Sequence, residues 1–452
     1  METISTITVL GAGYVGLTTA ALLAHAGYKV YVVEPDKDRL DVIKTGKSFF
    51  FEEGLDEVIR TAIDIGTLNP TNVYQSAVAE SSIVFSCVGT PDNPDGSSNL
   101  TYVFSAAEET AKYARPGTVF VQKSTVPVGT GVKIEQLFQK LKAKLEYVSN
   151  PEFLREGTAL YDTLYFDRVV AGGHDTTAVG KILDIYMELE KFRDHIAHIA
   201  HIPSSPRGDQ YIATSLNSAE LIKVTSNAFL ALKISFANSI AILADKANAD
   251  VVEVMDAVGA DTRIGRAFLN AGRGYGGGCF PKDVSGLISS GLEHGVDLNI
   301  MQAAQSVNDS MPGYIVDKLL NVTGEPLTDK KIAVLGLAFK AGTSDVRKSP
   351  GIAIANKLVA AGAKIVTYDP QAHEEAAPDL HDGVAQVQTI DEAIKGADIV
   401  VITTEWREIL EYPAKDFATR MSGVFLLDTI NQYDALEATN AGLHYIGIGH
   451  TV

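Results

Sequence analysis

The amino-acid sequence predicts an α/β protein with two Rossmann-like doubly wound domains, joined by a long central helix and a helical middle domain. The N-terminus reads as strand, glycine-rich turn, helix and strand within about 30 residues, the usual opening of a doubly wound sheet. Residues 216–248 carry the longest helical pattern and contain neither Gly nor Pro. The C-terminal part of the chain repeats some of the N-terminal pattern, which predicts a second sheet of the same kind.

The elements of the first domain are predicted from local patterns. A β-branched run at residues 4–10 predicts the first strand, residues 17–26 suit a helix that Gly27 closes, and residues 29–33 predict a second strand. Short apolar runs that predict further buried strands occur at 83–88, 118–121 and 168–172.

The second domain is predicted from a weak internal repeat. Residues 22–36 and 358–370 share a helix end, a glycine turn and a strand that closes on an acid, and residues 80–91 resemble 396–406. A strand at 332–336 would open this unit. Because the pattern G-x-G-x-x-G is missing after that strand, we expect that this domain has lost dinucleotide binding and holds another ligand.

A Pro- and Ser-rich stretch at residues 203–215 predicts a domain boundary ahead of the long helix. Apolar residues cover most faces of that helix, so we expect it to be buried between domains or against a second subunit. The predicted domains are 1–203, 204–312 and 313–452.

Composition narrows the class of partner. The 452 residues include 38 Lys and Arg against 56 Asp and Glu, a net charge of −18, which argues against nucleic acid or an anionic membrane surface. Phosphorylated small molecules stay possible, because a few amides and basic side chains can hold them. Glycines and His25 interrupt the apolar N-terminus before it reaches the length of a membrane span, so we expect a soluble protein.

Cys87 and Cys279 are too few for a disulfide scaffold or a four-cysteine zinc site, and they favour a reducing, cytoplasmic compartment. The ten histidines are scattered along the chain. Their one cluster, His195, His198 and His201, has helical spacing and is interpreted as a solvated or capping stretch, so no metal site is predicted.

Residues 11–16 read G-A-G-Y-V-G directly after the first strand, the pattern of a dinucleotide-binding turn. Its glycines allow a tight turn, close approach of a pyrophosphate and close packing of helix on strand, while the helix N-terminus offers amides to phosphate. Glu34, 18 residues after Gly16, would bond ribose hydroxyls and repel a 2′-phosphate, which predicts NAD rather than NADP, with Arg39 near the adenosine ribose. A plain glycine turn beside a surface acid is the alternative. The candidate cofactor residues of the turn are Gly11, Gly13, Tyr14, Val15 and Gly16.

A second motif surrounds Cys279, which follows three glycines and precedes Pro281 at the start of a helix predicted through 284–292. A helix N-terminus with Lys282 nearby stabilises a thiolate, so we interpret Cys279 as a nucleophile. A free Cys is more often a small buried hydrophobe, and Cys87, within a predicted strand, is interpreted in that way.

Lys223 and Asn227 lie four residues apart on one face of the long helix. On an apolar helix the pair suggests a polar partner, although a lysine that extends to solvent at a domain edge explains it equally well. Residues 124–130 and 149–157 both follow predicted strands, where ligands gather in open α/β sheets. The second of these segments carries two glutamates four residues apart, for which a salt-bridged surface turn is the simpler alternative.

Together these motifs resemble the nucleotide-sugar dehydrogenase family, in its UDP-glucose branch. The matching blocks run nearly end to end, and the form GYGGGCFPKD around Cys279 is more typical of that branch than of the UDP-N-acetylmannosamine or GDP-mannose branches. The blocks are GAGYVG at 11–16, VGTP at 88–91, STVPVGT at 124–130, NPEFLREG at 150–157, AELIKVTSNAFLALKISFAN at 219–238, RIGRAFLNAGRGYGGGCFPKD at 263–283 and GLAFKAGTSDVRKSP at 336–350.

The resemblance implies a four-electron oxidation of the C6 alcohol of UDP-glucose to the carboxylate of UDP-glucuronate, with two NAD used in turn. Cys279 would attack the aldehyde to form a thiohemiacetal, and water would cleave the thioester left after the second hydride transfer. Lys223 and Asn227 would stabilise the oxyanion, or Lys223 would relay the C6 proton. Asp283 would orient the lysine or a water, Glu152 would be the base for hydrolysis, and Thr125 would position the water.

The resemblance also implies which residues bind the two ligands. NAD contacts are implied for Thr90, Thr125, Glu156, Lys282 and Arg347, besides the glycine turn, Glu34 and Arg39. Contacts with the UDP-sugar are implied for Glu152, Phe153, Leu154, Lys223, Asn227, Arg263, Phe268, Leu269, Asn270, Gly272, Gly276 and Lys340. Arg263 would reach the site of a neighbouring subunit, which implies a homodimer built on the 216–248 helix. The first domain would bind NAD, the middle would dimerise and carry Cys279, and the third would bind the UDP-sugar.

Three positions depart from the family pattern. Residues 51–55, FEEGL, lack a proline, Tyr165-Phe166 stands for His-Pro, and Ile430 stands where the family has an Arg. Because that Arg helps to hold the sugar or nucleotide, another UDP-hexose or a UDP-N-acetylhexosamine stays possible as the substrate. A nucleotide-sugar-binding protein without turnover is the third hypothesis, against which the intact Cys279 argues.

Overall fold

The computed structural model describes residues 5–205 and 210–450. The chain forms two compact units, Met1–Ser226 and Asn227–Val452, and the division falls within one long helix. Residues 206–209 of the predicted boundary stretch lie outside the described residues, and the division into three domains stays a prediction.

The first unit is an α/β unit with a single large sheet. Its strands are β1 (Thr6–Leu10), β2 (Lys29–Val33), β3 (Leu68–Thr71), β4 (Ile83–Ser86), β5 (Val119–Gln122), β6 (Glu146–Ser149), β7 (Arg168–Gly173) and β8 (Gln210–Thr214). Its helices are α1 (Tyr14–His25), α2 (Lys37–Lys44), α3 (Leu55–Ile65), α4 (Tyr74–Glu80), α5 (Thr101–Tyr113), α6 (Thr130–Lys140), α7 (Ala159–Leu164), α8 (Thr176–Glu190), α9 (Arg193–Ile199) and the start of α10 (Leu216–Ala247).

The strand order is β3-β2-β1-β4-β5-β6-β7-β8, with all neighbours parallel except β6 and β7. Side chains alternate between two apolar clusters on opposite faces: Val9 and Phe85 lie in one, and Val84 and Phe120 in the other. Both faces are therefore covered, which explains why the central strands are continuous apolar runs. The order reverses between β1 and β4, and ligands bind at the strand ends of such a point.

The second unit begins with helices and ends with a smaller sheet. Its helices after α10 are α11 (Val251–Gly259), α12 (Phe280–Glu293), α13 (Asn299–Thr323), α14 (Pro350–Ala360), α15 (His373–Ala376), α16 (Ile390–Ile394), α17 (Arg407–Leu410), α18 (Ala414–Arg420) and α19 (Ala435–Asn440). Its strands are β9 (Lys331–Leu335), β10 (Lys364–Tyr368), β11 (Ala385–Gln386), β12 (Ile399–Ile402), β13 (Phe425–Asp428) and β14 (His444–Ile446). They form an all-parallel sheet in the order β11-β10-β9-β12-β13-β14.

The predicted fold class is confirmed, with two Rossmann-like sheets and a helical region between them in the chain. Helix α1 begins at Tyr14, earlier than the predicted residue 17, because the chain turns helical within the glycine motif itself. Strand β4 ends at Ser86, the partner of Leu10, so Cys87 lies just past the strand rather than inside it. Within the described residues, α10 is the one helix long and apolar enough to cross a membrane, a test that core helices of soluble proteins also pass.

Candidate active site

The glycine turn after β1 contains glycines of two kinds: those with no room for a Cβ and one that faces open space. Gly11 has a left-handed φ of 88°, and a Cβ there would lie 2.8 Å from the carbonyl oxygen of Cys87. A Cβ on Gly16 would lie 1.9 Å from the carbonyl oxygen of Gly11, so this glycine lets α1 press on the turn. A Cβ on Gly13 would meet nothing within 4 Å. The turn thus leaves open space at the N-terminus of α1, and this cradle fits a pyrophosphate.

Glu34 lies directly after β2 and is 6% exposed. Its Oε2 accepts a hydrogen bond from the backbone N–H of Ala12 (3.2 Å), and its Oε1 accepts one from Asp36 (3.0 Å). An ionised carboxylate has about four acceptor positions, so Glu34 keeps capacity for ribose hydroxyls. Arg39, on α2, stacks its guanidinium 4.8 Å from the ring centroid of Phe49. The residues present therefore fit a dinucleotide whose ribose lies near β2.

A buried ion pair joins the long helix to the segment after β6. Lys223 Nζ lies 3.1 Å from Glu152 Oε1, with side chains 4% and 8% exposed. The other carboxylate oxygen accepts from the N–H of Leu154 (2.7 Å). The ring of Phe153 lies between Lys223 Nζ, 5.4 Å from its centroid, and Arg168 Cζ, 3.9 Å from it. The alternatives of a lysine extending to solvent and a surface turn around Glu152 are therefore wrong.

Two carboxylates that the sequence did not single out hold the loops of this site. Glu52, 6% exposed, accepts from the N–H groups of Gly157 (2.8 Å) and Leu160 (3.3 Å). Glu220, 2% exposed on α10, accepts from Gly129 (2.7 Å) and Gly131 (2.8 Å) at the start of α6, and burial raises its pKa to about 7. The available signal for Glu220 was its position three residues before Lys223 on the same helix.

A third polar group that the sequence did not reveal lies where β5 and β6 end. The Lys123 ammonium, in a residue 4% exposed, donates to Tyr186 Oη (2.7 Å) and lies 3.4 Å from Asn150 Oδ1. Tyr186 Oη donates to Asn150 Oδ1 (2.7 Å), whose amide donates to the carbonyl of Val170 (2.8 Å). This network ties together the starts of the segments that carry Thr125 and Glu152.

In the second unit, Cys279 is the N-cap residue of α12 and is exposed. One turn later Asp283, 3% exposed, accepts from Asn227 Nδ2 (2.6 Å) and from Lys282 Nζ (2.5 Å) on its two oxygens. The positive charge of Lys282 is therefore compensated by the carboxylate of Asp283. Asp283 orients Asn227, a contact that the sequence did not predict, because 56 residues separate the two in the chain.

The three glycines before Cys279 are covered by the loop that follows β9. A Cβ on Gly276 would lie 2.3 Å from the carbonyl oxygen of Lys348, and one on Gly277 would lie 2.8 Å from the ring of Phe339. At Gly278 a Cβ would lie 2.3 Å from Arg347 Cζ. Because they lack a Cβ, these three glycines let a second loop of the same unit approach the backbone.

The remaining predicted substrate residues lie in the stretch between α11 and α12, apart from Lys340, which follows β9. Phe268 has a left-handed φ of 65°, and Leu269 is buried. The amide oxygen of Asn270 accepts from Arg266 (2.7 Å), and the N–H of Gly272 donates to Asn238 Oδ1 (2.7 Å). The Arg263 side chain is 87% exposed and paired with Asp261. Lys340 Nζ lies 5.9 Å from the ring centroid of Phe339.

The two cysteines differ in environment. Burial raises the pKa of the Cys87 thiol to about 12, although part of the residue is accessible, whereas Cys279 is exposed at a helix N-terminus. Across residues 5–205 and 210–450, no three His, Cys, Asp or Glu side chains are grouped to hold a metal ion.

Three family models match the chain in order: the NAD binding domain of the UDP-glucose/GDP-mannose dehydrogenase family at residues 5–190, its central domain at 217–310 and its UDP binding domain at 333–435. The chain belongs to this family. The predicted cofactor, NAD, the predicted enzyme class, an NAD-dependent oxidoreductase, and a UDP-sugar as the substrate class are thereby confirmed.

Relatives match over nearly the full length. The UDP-glucose 6-dehydrogenase YwqF of Bacillus subtilis is 40% identical over 98% of this chain and 97% of its own length, and that of Rhizobium meliloti is 39% identical over 98% and 99%. The solved UDP-glucose dehydrogenase of Pyrobaculum islandicum has a TM-score of 0.88 at 34% identity, covering 100% of this chain and 99% of its own. The UDP-D-ManNAc dehydrogenase of Pyrococcus horikoshii has a TM-score of 0.84 at 25% identity, covering 98% and 99%.

Proposed function

We propose that the protein is a UDP-glucose 6-dehydrogenase that oxidises the C6 alcohol to the carboxylate of UDP-glucuronate and reduces two NAD per sugar. The observation that carries this proposal is Cys279 at the N-terminus of α12, one turn from the buried pair of Asp283 and Asn227. Relatives named for UDP-glucose at 34–40% identity, against 25% for the UDP-D-ManNAc dehydrogenase, support the choice of sugar.

In this mechanism Cys279 is the nucleophile, and NAD, when bound, accepts the hydride lost from C6 in each half of the reaction. The thiolate adds to the aldehyde carbon to form a thiohemiacetal, whose C6 hydrogen can leave as a second hydride. The product of that step is a thioester. Water adds to its carbonyl, the thiolate of Cys279 leaves, and the carboxylate is released.

Asn227 and Lys223 would stabilise the oxyanion at C6. The amide of Asn227 has two N–H donors, and Asp283 takes one of them, which leaves the orientation fixed and a second donor for the substrate oxygen. Lys223 has three donors, of which Glu152 takes one. Glu152 would accept the proton of the hydrolytic water that Thr125 positions.

The UDP-sugar would be held by the segments around Glu152, residues 263–276 and Lys340, and NAD by the first unit together with Lys282 and Arg347. We infer domains at 1–203, 204–312 and 313–452 for NAD, dimerisation and UDP-sugar, in a cytoplasmic enzyme. The reducing environment of that compartment suits a chain whose nucleophile is an exposed thiol.

We infer a homodimer built on α10. Phe229, Phe236 and Leu243 recur every seven residues on this helix and are 58%, 48% and 61% exposed, an apolar stripe that a second copy would cover. The Arg263 side chain is 87% exposed and bonded to Asp261, so it lies at the surface where a neighbouring subunit could meet it. Sedimentation of the full chain tests this: a monomer at micromolar concentration would refute it, and Phe236→Asp should dissociate the dimer.

The decisive experiment counts NADH per sugar. The purified chain with limiting UDP-glucose and excess NAD should form two NADH per sugar, and one NADH or no turnover would contradict the proposal. Cys279→Ser should abolish the second half of the reaction, whereas the matched Cys87→Ser variant should keep most of the activity. Equal activity of Cys279→Ser and wild type would remove the nucleophile from the mechanism.

A second candidate substrate, another UDP-hexose or a UDP-N-acetylhexosamine, is favoured by one observation. Ile430 is 6% exposed in the core of the second unit, at the position where the family carries an Arg. The chain thus lacks a cation there that would contact the sugar or nucleotide. A panel of UDP-sugars, compared by kcat/KM for NADH formation, separates the two candidates, and a preference of tenfold or more for another sugar would replace UDP-glucose.

A further inference from the structure

The loop between β9 and α14 and the three glycines before Cys279 fit together as one surface. Each of Gly276, Gly277 and Gly278 has an atom of this loop within 2.8 Å of the place where its Cβ would stand. The N–H of Gly277 also donates to the carbonyl oxygen of Arg347 (2.8 Å). Alanine at any of the three positions would push the loop away, so the glycines here serve contact between two parts of the protein.

The guanidinium of Arg347 lies flat on Gly278. The position of a Cβ on Gly278 would be 2.3 Å from Cζ, 2.4 Å from Nη1 and 2.5 Å from Nη2. Because the central carbon is the nearest of the three atoms, that position lies over the face of the planar group rather than at its edge. Asp345 accepts from Nε (2.8 Å) and Nη2 (2.6 Å), and such bonds lie in the guanidinium plane. The carboxylate is therefore at an edge, while the cationic face is turned to the residue before Cys279.

Residues 278–283 contain one ion pair, Lys282 with Asp283, and Gly278 is covered by the arginine of another, Arg347 with Asp345. Lys282 is bonded to Asp283, whose second oxygen accepts from Asn227, so this lysine and acid compensate each other. Arg347 is paired with Asp345 through Nε and Nη2, along one edge of the guanidinium. The cation with its face directed to the backbone beside Cys279 is therefore Arg347, a different residue from the lysine that the sequence suggested.

We propose that Arg347 is a positioning residue for Cys279, because its guanidinium, held flat on Gly278, supplies the positive charge that favours the thiolate. This inference rests on the proposed function, in which Cys279 is the nucleophile. It gives Arg347 a task that is separate from its expected contact with NAD and that operates without any ligand bound. It also explains Gly278, since only a residue without a Cβ admits the guanidinium at that distance.

The test measures the alkylation of each cysteine by iodoacetamide against pH, in the full-length protein without NAD or sugar, with mass spectrometry to separate the two sites. Iodoacetamide reacts with thiolates, so the midpoint of the rate reports ionisation of Cys279. Arg347→Met should raise this midpoint by about one pH unit and slow the reaction about tenfold at pH 7. Gly278→Ala, which keeps the arginine and expels it from the contact, should do the same. Asp345→Asn should act in the opposite direction and speed the reaction.

Cys87 is the internal control, because burial raises the pKa of its thiol and so keeps its alkylation slow as long as the first unit is folded. An unchanged Cys279 profile in both Arg347→Met and Gly278→Ala, with Cys87 alkylated as slowly as in wild type, would overturn the proposal. Equal slowing in Asp345→Asn would also overturn it, because loss of an acid cannot weaken a thiolate through charge. The NADH assay is independent: failure to oxidise UDP-glucose with these shifts intact would refute the proposed function alone.

Discussion

The two sheets share a strand order and a glycine contact between helix and strand, but they differ at the acid that follows the second strand. Both have the same order through six strands, and both place a left-handed glycine after the first strand, Gly11 with φ 88° and Gly336 with φ 106°. A later glycine presses on that turn in both cases: a Cβ on Gly16 would lie 1.9 Å from the carbonyl oxygen of Gly11, and one on Gly351 would lie 2.8 Å from that of Gly336. The helix-to-strand contact is thus common to the two units.

The difference lies in the acid after the second strand. Glu34 accepts hydrogen bonds from two backbone N–H groups, whereas Asp369 accepts them from four. The four donors to Asp369 are Leu337 (2.6 Å), Ala338 (2.9 Å), Gln371 (2.9 Å) and Ala372 (2.8 Å). The indole Nε1 of Trp406 is a fifth donor to Asp369, at 3.1 Å. Asp369 has no acceptor position left for a ribose. The shorter acid is part of the turn, which gives a physical reason for the prediction that the second unit does not bind a dinucleotide.

The largest effects on stability and on NAD affinity should come from substitution of the turn glycines. Gly16→Ala places a Cβ against a backbone oxygen and should cost about 3 kcal/mol or more of unfolding free energy, with Gly351→Ala somewhat milder. Gly13→Ala meets only open space, so its stability should change by about 1 kcal/mol or less while NAD binds about tenfold more weakly or worse. Urea unfolding and calorimetric titration with NAD measure the two quantities. Unchanged NAD affinity in Gly13→Ala would mean that this space is not the pyrophosphate cradle.

A smaller effect should separate the two acids. Asp369→Asn removes acceptors from buried N–H groups and should destabilise the second unit by about 2–4 kcal/mol, without changing NAD affinity. Glu34→Gln should cost about 1 kcal/mol in stability but reduce the preference for NAD over NADP about tenfold. Denaturant midpoints and the ratio of the two dissociation constants provide the comparison. Equal stability losses in the two variants would contradict the division of roles.

The smallest expected effect is on the pH dependence of stability, through buried carboxylates that hold loops in the two units. Burial raises the pKa of Glu220 to about 7 and also raises that of Asp428, whose oxygens accept from four backbone N–H groups. Because the folded state binds the Glu220 proton more tightly than the unfolded state, the stabilisation that this proton contributes is fully present below about pH 4.5 and is lost as pH rises through about 7. Glu220→Gln removes this titration but turns an amide NH2 toward one of the two backbone N–H groups, so its stability should be lower at acidic pH and vary less than that of wild type between about pH 5 and 8. Thermal unfolding at several pH values measures this, and parallel curves for the two proteins would show that Glu220 does not titrate there.

Features set by short stretches of sequence could be predicted. Strand β2 and helix α10 match their predicted ranges to within one residue, because a β-branched run and an uninterrupted apolar helix each carry their own signal. Strand β3, which contains Pro70 at the sheet edge, was not predicted, because its pattern is too short and polar. The motif residues of the candidate site were predictable in the same way, from glycines and charged residues at strand ends.

The pairing of those residues could not be predicted. Glu220 reaches amides 91 and 89 positions away, and Asn227 meets Asp283 across 56 positions, so no local spacing encodes these contacts. They arise when separate elements pack together. Lys282 is an example: its position in the sequence suggested a cation for Cys279, and the structure adds that its ammonium is bonded to Asp283.

The exposed stripe on α10 has a geometric consequence. Phe229, Phe236 and Leu243 span 14 residues, which corresponds to about 21 Å of helix. A seven-residue repeat on a helix of 3.6 residues per turn drifts about 20° around the axis with each repeat. Two copies joined along this stripe would therefore cross at about 20° and wind around each other with a left-handed twist, as in a short coiled coil.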